Sequence, residues 1–218
     1  MPAEAYAHEY LIFRSKGYKL IQQKVIVRYK QGAIAMTLTT AKWTIDHYHK
    51  MIEAGILNDR KVELLNGVIV EMVPEGTAHT YFSDRFANRL RVALSTRSQI
   101  REARPITLPN NSEPEPDIAV VQPLNDIYLE HHPYPENIFW LIEYADSSLS
   151  KDLEEKSKIY AAAGIQEYWV VNLRDPQLIV FRFPEGDFYQ QRNTFRTGTI
   201  EPLAFPDLTI HISQLMNR

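Results

Sequence analysis

EPDIAVVQ at 115–122, NIFWLIEYADSS at 137–148 and KDLEEKSKIYAAAGIQEYW at 151–169 decide the fold. The first two pieces read as strands, and the third as a helix leading into a further strand. In IFWLIEY an unbroken apolar run precedes Glu143, the pattern of a strand covered on both faces. At about 100° per residue, Asp152, Leu153, Lys156, Ile159, Tyr160 and Ala163 share one stripe of the helix, whereas Glu154, Glu155, Lys158 and Ala161 lie outside it. Asp152 and Lys156 therefore belong to the core-facing side, one turn apart. An ordinary Asp-to-Lys pair on a solvated face would contribute about 0.3–0.5 kcal/mol. That face already has its own charges, and a buried charge is costly unless it is paired or bound to a metal. Asp117, at the start of one strand, and Glu143, at the end of the next, can converge with them. Two carboxylates and a lysine suit a hard divalent cation and a developing phosphate charge.

These residues carry a resemblance. Pro116-Asp117, Glu143 ending an apolar strand, Asp152-x-x-x-Lys156 and the run YAAAGIQEYWVV resemble the Uma-two family of restriction-endonuclease-like proteins, within the PD-(D/E)XK nuclease superfamily. The likeness extends from about Thr37 to Leu215 and includes ELLNGVIVEM at 63–72. One departure from the superfamily pattern is the lysine expected two residues after the strand glutamate, because position 145 is Ala. The family places its lysine on the following helix, here Lys156.

The resemblance implies an α/β, restriction-endonuclease-like fold with a mixed central β-sheet flanked by helices. It also implies a Mg²⁺-dependent endonuclease acting on DNA, with Mn²⁺ as a substitute. Asp117 and Glu143 would bind the metal. Lys156 would position or activate the attacking water and stabilise the pentavalent phosphate charge, Asp152 would orient Lys156, and Glu63 would support the metal or its waters. The alternative is a catalytically inactive dimeric binding or regulatory module that keeps the fold. A third reading makes Asp152, Lys156 and Glu143 a core ion cluster that binds nothing.

At 218 residues the chain is long enough for one domain with a sizeable core. No apolar run approaches the roughly 20 residues that span a bilayer, and no signal-peptide pattern opens the chain. With no cysteine, disulfides, thiolate chemistry and cysteine-zinc sites are excluded. The expectation is a cytoplasmic protein. Its net charge is −3, with +4 in residues 1–35 and −7 in residues 36–218, unlike a tight nonspecific DNA binder. DNA would dock weakly, and a homodimer is expected from exposed-looking aromatics near the C-terminus.

Elsewhere, Ile45, Tyr48, Met51 and Ile52 recur at helical spacing after Thr44, a candidate N-cap, and before Gly55. KVELL-NG-VIVEM reads as a β-hairpin with a type I′ turn. On an alternating strand Glu63 would face solvent; the resemblance moves it into or behind the metal site. Residues 79–94 form a helix with Phe82, Phe86, Leu90, Ala93 and Leu94 on one stripe. His79, at its start, is either a cap or a group approaching the metal site. Arg85, Arg89 and Arg91 read as a solvated face, with phosphate contact as the alternative. Strands are expected at 99–108 and 117–122, with Glu113 as a loop charge and Glu115 as a loop charge or a supplement to the site. His131 and His132 look exposed and, like His47 and His49, lack the other ligands a zinc site requires. EYWVVN, QLIVFRF and DFYQQRN read as successive strands, and HISQLMN as a short final helix. Phosphate-loop, dinucleotide, G-x-S-x-G and H-E-x-x-H motifs are absent.

Residues 1–35 differ from the rest and are expected to be an N-terminal extension to a single domain at 36–218, with Met36 as the physiological start. Intact-mass measurement of the native protein should then give a chain beginning at Met36; a species beginning at Met1 would overturn that expectation.

Overall fold

Thr44 caps the first helix, α1 (Ile45–Glu53), its side chain accepting from the His47 amide at 3.2 Å. Gly55, at φ +73°, takes the chain out of it. Strands β4 (Val62–Leu65) and β5 (Val68–Glu71) form the expected hairpin, with positive φ at both Asn66 and Gly67. The computed structural model describes residues 41–146 and 148–217. Of the earlier residues it describes three strands, β1 (Ala7–Ser15), β2 (Tyr18–Arg28) and β3 (Ala33–Thr37), paired as an antiparallel meander. The chain divides into two units, Met1–Lys42 and Trp43–Arg218. In the first, LIQQKVIVR at 20–28 falls within β2, which pairs with both of its neighbours. The Met36 boundary falls inside β3.

The second unit is built on a six-stranded sheet. Its strands are β6 (Gln99–Glu102), β7 (Ile118–Val121), β8 (Ile138–Ala145), β9 (Glu167–Asn172), β10 (Gln177–Glu185) and β11 (Phe188–Phe195), in the order β11-β10-β9-β8-β7-β6. Only β8 and β9 are parallel, as a helical crossover between them requires. That crossover contains a wide helical turn, Lys151–Lys156, running into α3 (Ser157–Ala162). The β9–β11 meander closes one edge. Its first turn is held by Asn172 Oδ1, which accepts from the amides of Arg174 and Asp175. A short pair, β12 (Thr199–Ile200) with β13 (Ile210–His211), precedes α4 (Ser213–Met216).

Alternation along the strands feeds two cores. Ile118, Val120, Trp140, Ile142 and Tyr144 pack with Phe86, Leu90 and Leu94 of α2 (Thr77–Leu94). Ala119, Val121, Leu141 and Ala145 face the other way, toward Ile159 and Tyr160 of α3. The sheet is therefore covered on both faces, and strand parity puts Glu143 on the α3 side. The strand expected at 99–108 stops at Glu102. Ala103 adopts φ +44°, Pro105 follows, and the chain continues as a loop to an isolated bridge between Leu108 and Ser112. Among the described residues, no helix is long and apolar enough to cross a membrane.

Because α2 docks through Phe86, which is 1% exposed, Phe86→Ala should cost about 3–5 kcal/mol in urea unfolding. Val92→Ala, on the same helix but 84% exposed, should stay within about 0.5 kcal/mol of the parent. Equal effects would show that α2 is not anchored in this way.

Candidate active site

Ile118 pairs with Ile142, so Asp117 and Glu143 stand side by side where β7 begins and β8 ends. Each carboxylate accepts an amide from the other strand. The Tyr144 amide donates to Asp117 Oδ2 at 2.6 Å, and the Asp117 amide to Glu143 Oε2 at 3.4 Å. Glu143 Oε1 accepts from Lys156 Nζ at 2.8 Å and from the Tyr160 hydroxyl at 2.9 Å. Glu63 enters from the hairpin, which lies across residues 111–115 through paired bonds between Leu64 and Glu113 and one from Gly67 to Asn111. The Glu63 carboxylate is 1% exposed and meets Lys156 Nζ at 3.4 Å, Lys151 Nζ, and the Glu115 amide at 3.3 Å. Solvent exposure, the simple reading of an alternating strand, is thus wrong for Glu63, because all four residues of β4 are buried.

The helix that brings in the lysines is not a regular α-helix. The Ser157 amide bonds back to Asp152 O, five residues earlier, so Lys151–Lys156 form a π-turn, a widening frequently found at functional sites. On a regular helix residues five apart diverge; here Lys151 and Lys156 both reach Glu63. Asp152 is buried beside them, but its carboxylate accepts from Ser148 Oγ at 2.6 Å. Lys156 is held directly by Glu143 and Glu63, while Asp152 acts on it through charge alone.

Burial pulls the Lys156 pKa down, but Glu143, Glu63 and Asp152 outweigh it and hold the ammonium well above its ordinary value. Burial pushes Glu143 up to about 8, opposed by Lys156 and reinforced by Asp117 and Asp152. Burial also raises Asp152. For Glu63 burial acts upward too, but Lys156 and Lys151 leave it below the usual carboxylate range. The cleft above these groups has a volume of about 440 Å³ and is lined by seven carboxyl groups against Lys151, Lys156 and His79. That excess of negative charge fits a divalent cation.

The donor set fits as well. His79, in the first turns of α2, places Nε2 2.9 Å from Asp117 Oδ2, and its Nδ1 lies 3.5 Å from Glu75 Oε2. Ligand atoms of Glu75, His79 and Asp117 all lie within 4.8 Å of one another. Burial pulls the His79 pKa down, but the hydrogen bond to Asp117 and the charges of Asp117, Glu75 and Glu143 together hold it above its ordinary value. Glu75 and Lys151 escaped the sequence reading. Glu75 stands four residues before His79 across the Gly76 cap, a spacing visible only once α2 is known to start at Thr77. Lys151 needs the π-turn.

Other candidates go elsewhere. Glu113 is not a loop charge but a carboxylate 3% exposed, accepting from His49 Nε2 at 2.9 Å and from Thr107 Oγ1 at 3.0 Å. His131 and His132 are half-buried rather than exposed, with His131 stacked on Tyr134. Glu115 is half-buried and lines the cleft. Arg85 donates to carbonyls of Gln214 and Asn217, and Arg91 pairs with Glu102.

A mixed sheet with two carboxylates side by side on adjacent strands, and helices on both faces, has the restriction-endonuclease-like fold. A family model described as "Uma2: Putative restriction endonuclease" matches residues 45–213, and the chain belongs to that family. It is similar to a solved structure described as "a putative nuclease belonging to DUF820 from Anabaena variabilis ATCC 29413". The TM-score is 0.64 at 16% identity, over 79% of this chain and 96% of that one. No curated protein matches the chain.

Removing one member of a buried ion pair leaves the other uncompensated. Lys156→Met should therefore lower the metal-free stability by about 3–5 kcal/mol, and adding Glu143→Gln to it should recover most of the loss. A neutral Lys156→Met, or a double variant no better than the single, would contradict the buried cluster.

Proposed function

We propose that this protein is a divalent-metal-dependent nuclease that hydrolyses DNA phosphodiester bonds in the cleft above Asp117 and Glu143. The observation that supports this reading is the Asp117–Glu143 pair with the Lys156 ammonium set against Glu143. Asp117 and Glu143 would hold the ion, Mg²⁺ or Mn²⁺. Bound there, it supplies Lewis-acid polarisation of a phosphate oxygen and lowers the pKa of an attacking water. Lys156, kept cationic by its carboxylates, favours the negative charge that builds on the phosphate and fixes the direction of Glu143. An ammonium held this strongly in its charged form is a poor proton acceptor, so its part is electrostatic. Glu63 anchors both lysines, and Asp152 keeps the local potential negative behind them. Lys151, about a quarter exposed and lining the cleft, is the cation a phosphate would meet first.

The acidic body of the chain is consistent with weak, transient DNA docking. A homodimer and a cytoplasmic location belong to the same proposal; Phe183 and Phe188 of the meander, 39% and 54% exposed, are the aromatics that suggest the dimer. The second reading is an inactive binding module with the nuclease fold. It is favoured by the depth of Lys156, 4% exposed and already satisfied by carboxylates.

The test is incubation of purified protein with supercoiled plasmid and with single-stranded DNA, in Mg²⁺, Mn²⁺ or EDTA, beside Asp117→Ala. Metal-dependent cleavage should fall by about a hundredfold or more in the variant and vanish in EDTA. Cleavage that persists in Asp117→Ala would sink the assignment. Mn²⁺ binding by wild type without cleavage of either substrate would favour the inactive module.

A further inference from the structure

The nuclease reading places the ion between two strand carboxylates. Against Asp117, in the same cleft, lies an imidazole that this reading does not use. His79 is 8% exposed, and its Nε2 is directed at Asp117 Oδ2. Among the described residues its Nδ1 has no hydrogen-bond partner although it is shielded from solvent. Glu75 approaches it to 3.5 Å without hydrogen-bond geometry. A buried imidazole nitrogen without a partner is costly, and this ring is flanked by two carboxylates, Asp117 at Nε2 and Glu75 toward Nδ1. Ligand atoms of the three residues lie close enough together to hold a cation.

We infer that His79 and Glu75 are direct ligands of the ion held by Asp117, making this a mixed nitrogen–oxygen metal site. The inference rests on the metal-dependent reading and deepens it, because the donor set predicts which metal. Mg²⁺ prefers an all-oxygen shell and keeps most of its waters. Imidazole suits the later first-row ions, whose affinity for a given site rises from Mn²⁺ through Co²⁺. The ligands also sit on rigid supports. His79 rides on α2, which is fixed in the core by Phe86 and Leu90, and Asp117 is fixed by the Tyr144 amide. Glu75 stands on the loop before α2, at the open side of the cleft, where a substrate oxygen could share the coordination.

The experiment uses tag-free full-length protein, so that no added histidines compete. Mn²⁺, Co²⁺ and Mg²⁺ binding is measured by calorimetry, and the visible spectrum of the Co²⁺ form is recorded. The variants are His79→Gln, Glu75→Gln and Asp117→Ala, each checked for an unchanged melting temperature in EDTA. Wild type should bind Mn²⁺ and Co²⁺ about tenfold or more tighter than Mg²⁺. His79→Gln should weaken Co²⁺ by about tenfold or more, change its absorption bands and remove most of the discrimination against Mg²⁺. Glu75→Gln, on the loop before α2, should weaken Mn²⁺, Co²⁺ and Mg²⁺ to similar extents. If His79→Gln and Glu75→Gln bind as wild type does while Asp117→Ala binds nothing, the inference fails and the nuclease reading stands. If wild type binds none of the three ions, both fail.

Discussion

The Lys156 ammonium, enclosed between Glu143 and Glu63, is the interaction on which the site depends. None of these three charges could be buried alone, because desolvating an isolated ion costs several kcal/mol even after relaxation. Each comes from a different part of the fold: Glu143 from β8, Glu63 from the β4–β5 hairpin, and Lys156 from the crossover helix. The cluster thus forces the hairpin to lie across residues 111–115 and the helix to approach the sheet closely. Tyr160, one turn beyond Lys156, donates to the same Glu143 oxygen and packs its ring against Tyr168 in the apolar layer. Polar and apolar halves of that layer therefore fix one another. Such a cluster is weak evidence for stability as such, since a well-packed apolar replacement is often as stable. Its value lies in holding negative and positive charge at fixed places beside an open cleft.

Much of the architecture could be read from the sequence, for physical reasons. The run IFWLIEYA is apolar on both parities, which only a strand buried on two faces requires, and β8 is that strand. Asn66-Gly67 between apolar runs left one economical turn type. The pairing of Asp152 and Lys156 on an inward face was visible because helical periodicity converts spacing into direction. The misreadings have causes too. The apolar pattern after Glu102 suggests a continuing strand, but the left-handed backbone at Ala103 ends the ladder, and periodicity does not register φ. Strand alternation alone would solvate Glu63, which only the resemblance moves inward, and Glu113 reads as a loop charge, because alternation and loop composition describe only the local chain. Both are buried by a hairpin-to-loop contact between residues nearly fifty positions apart.

Lys151 illustrates a deeper limit. Its placement depends on hydrogen bonds that skip five residues instead of four, and propensity does not distinguish the two across KDLEEK. The widened turn lets one helical segment direct one lysine into the buried cluster and the other to the mouth of the cleft, both against Glu63. A regular helix would have sent Lys151 toward a different side.

The superfamily's usual lysine, two residues after the strand glutamate, would fall at Ala145. Residues 143 and 145 lie on the same face of β8, so a lysine there would start from the α3 side. That position is instead completely buried in the apolar cluster that includes Leu141, Ile159 and Tyr160. A long cationic side chain would have to displace this packing to reach the carboxylate. A small residue at 145 leaves the helix free to settle on the strand, and the helix then delivers the ammonium from above. The nuclease chemistry proposed for this cleft would need positive charge beside Glu143 and Asp117 at its edge. Which segment supplies it is set by packing, and here alanine on the strand and lysine on the helix are two parts of the same solution.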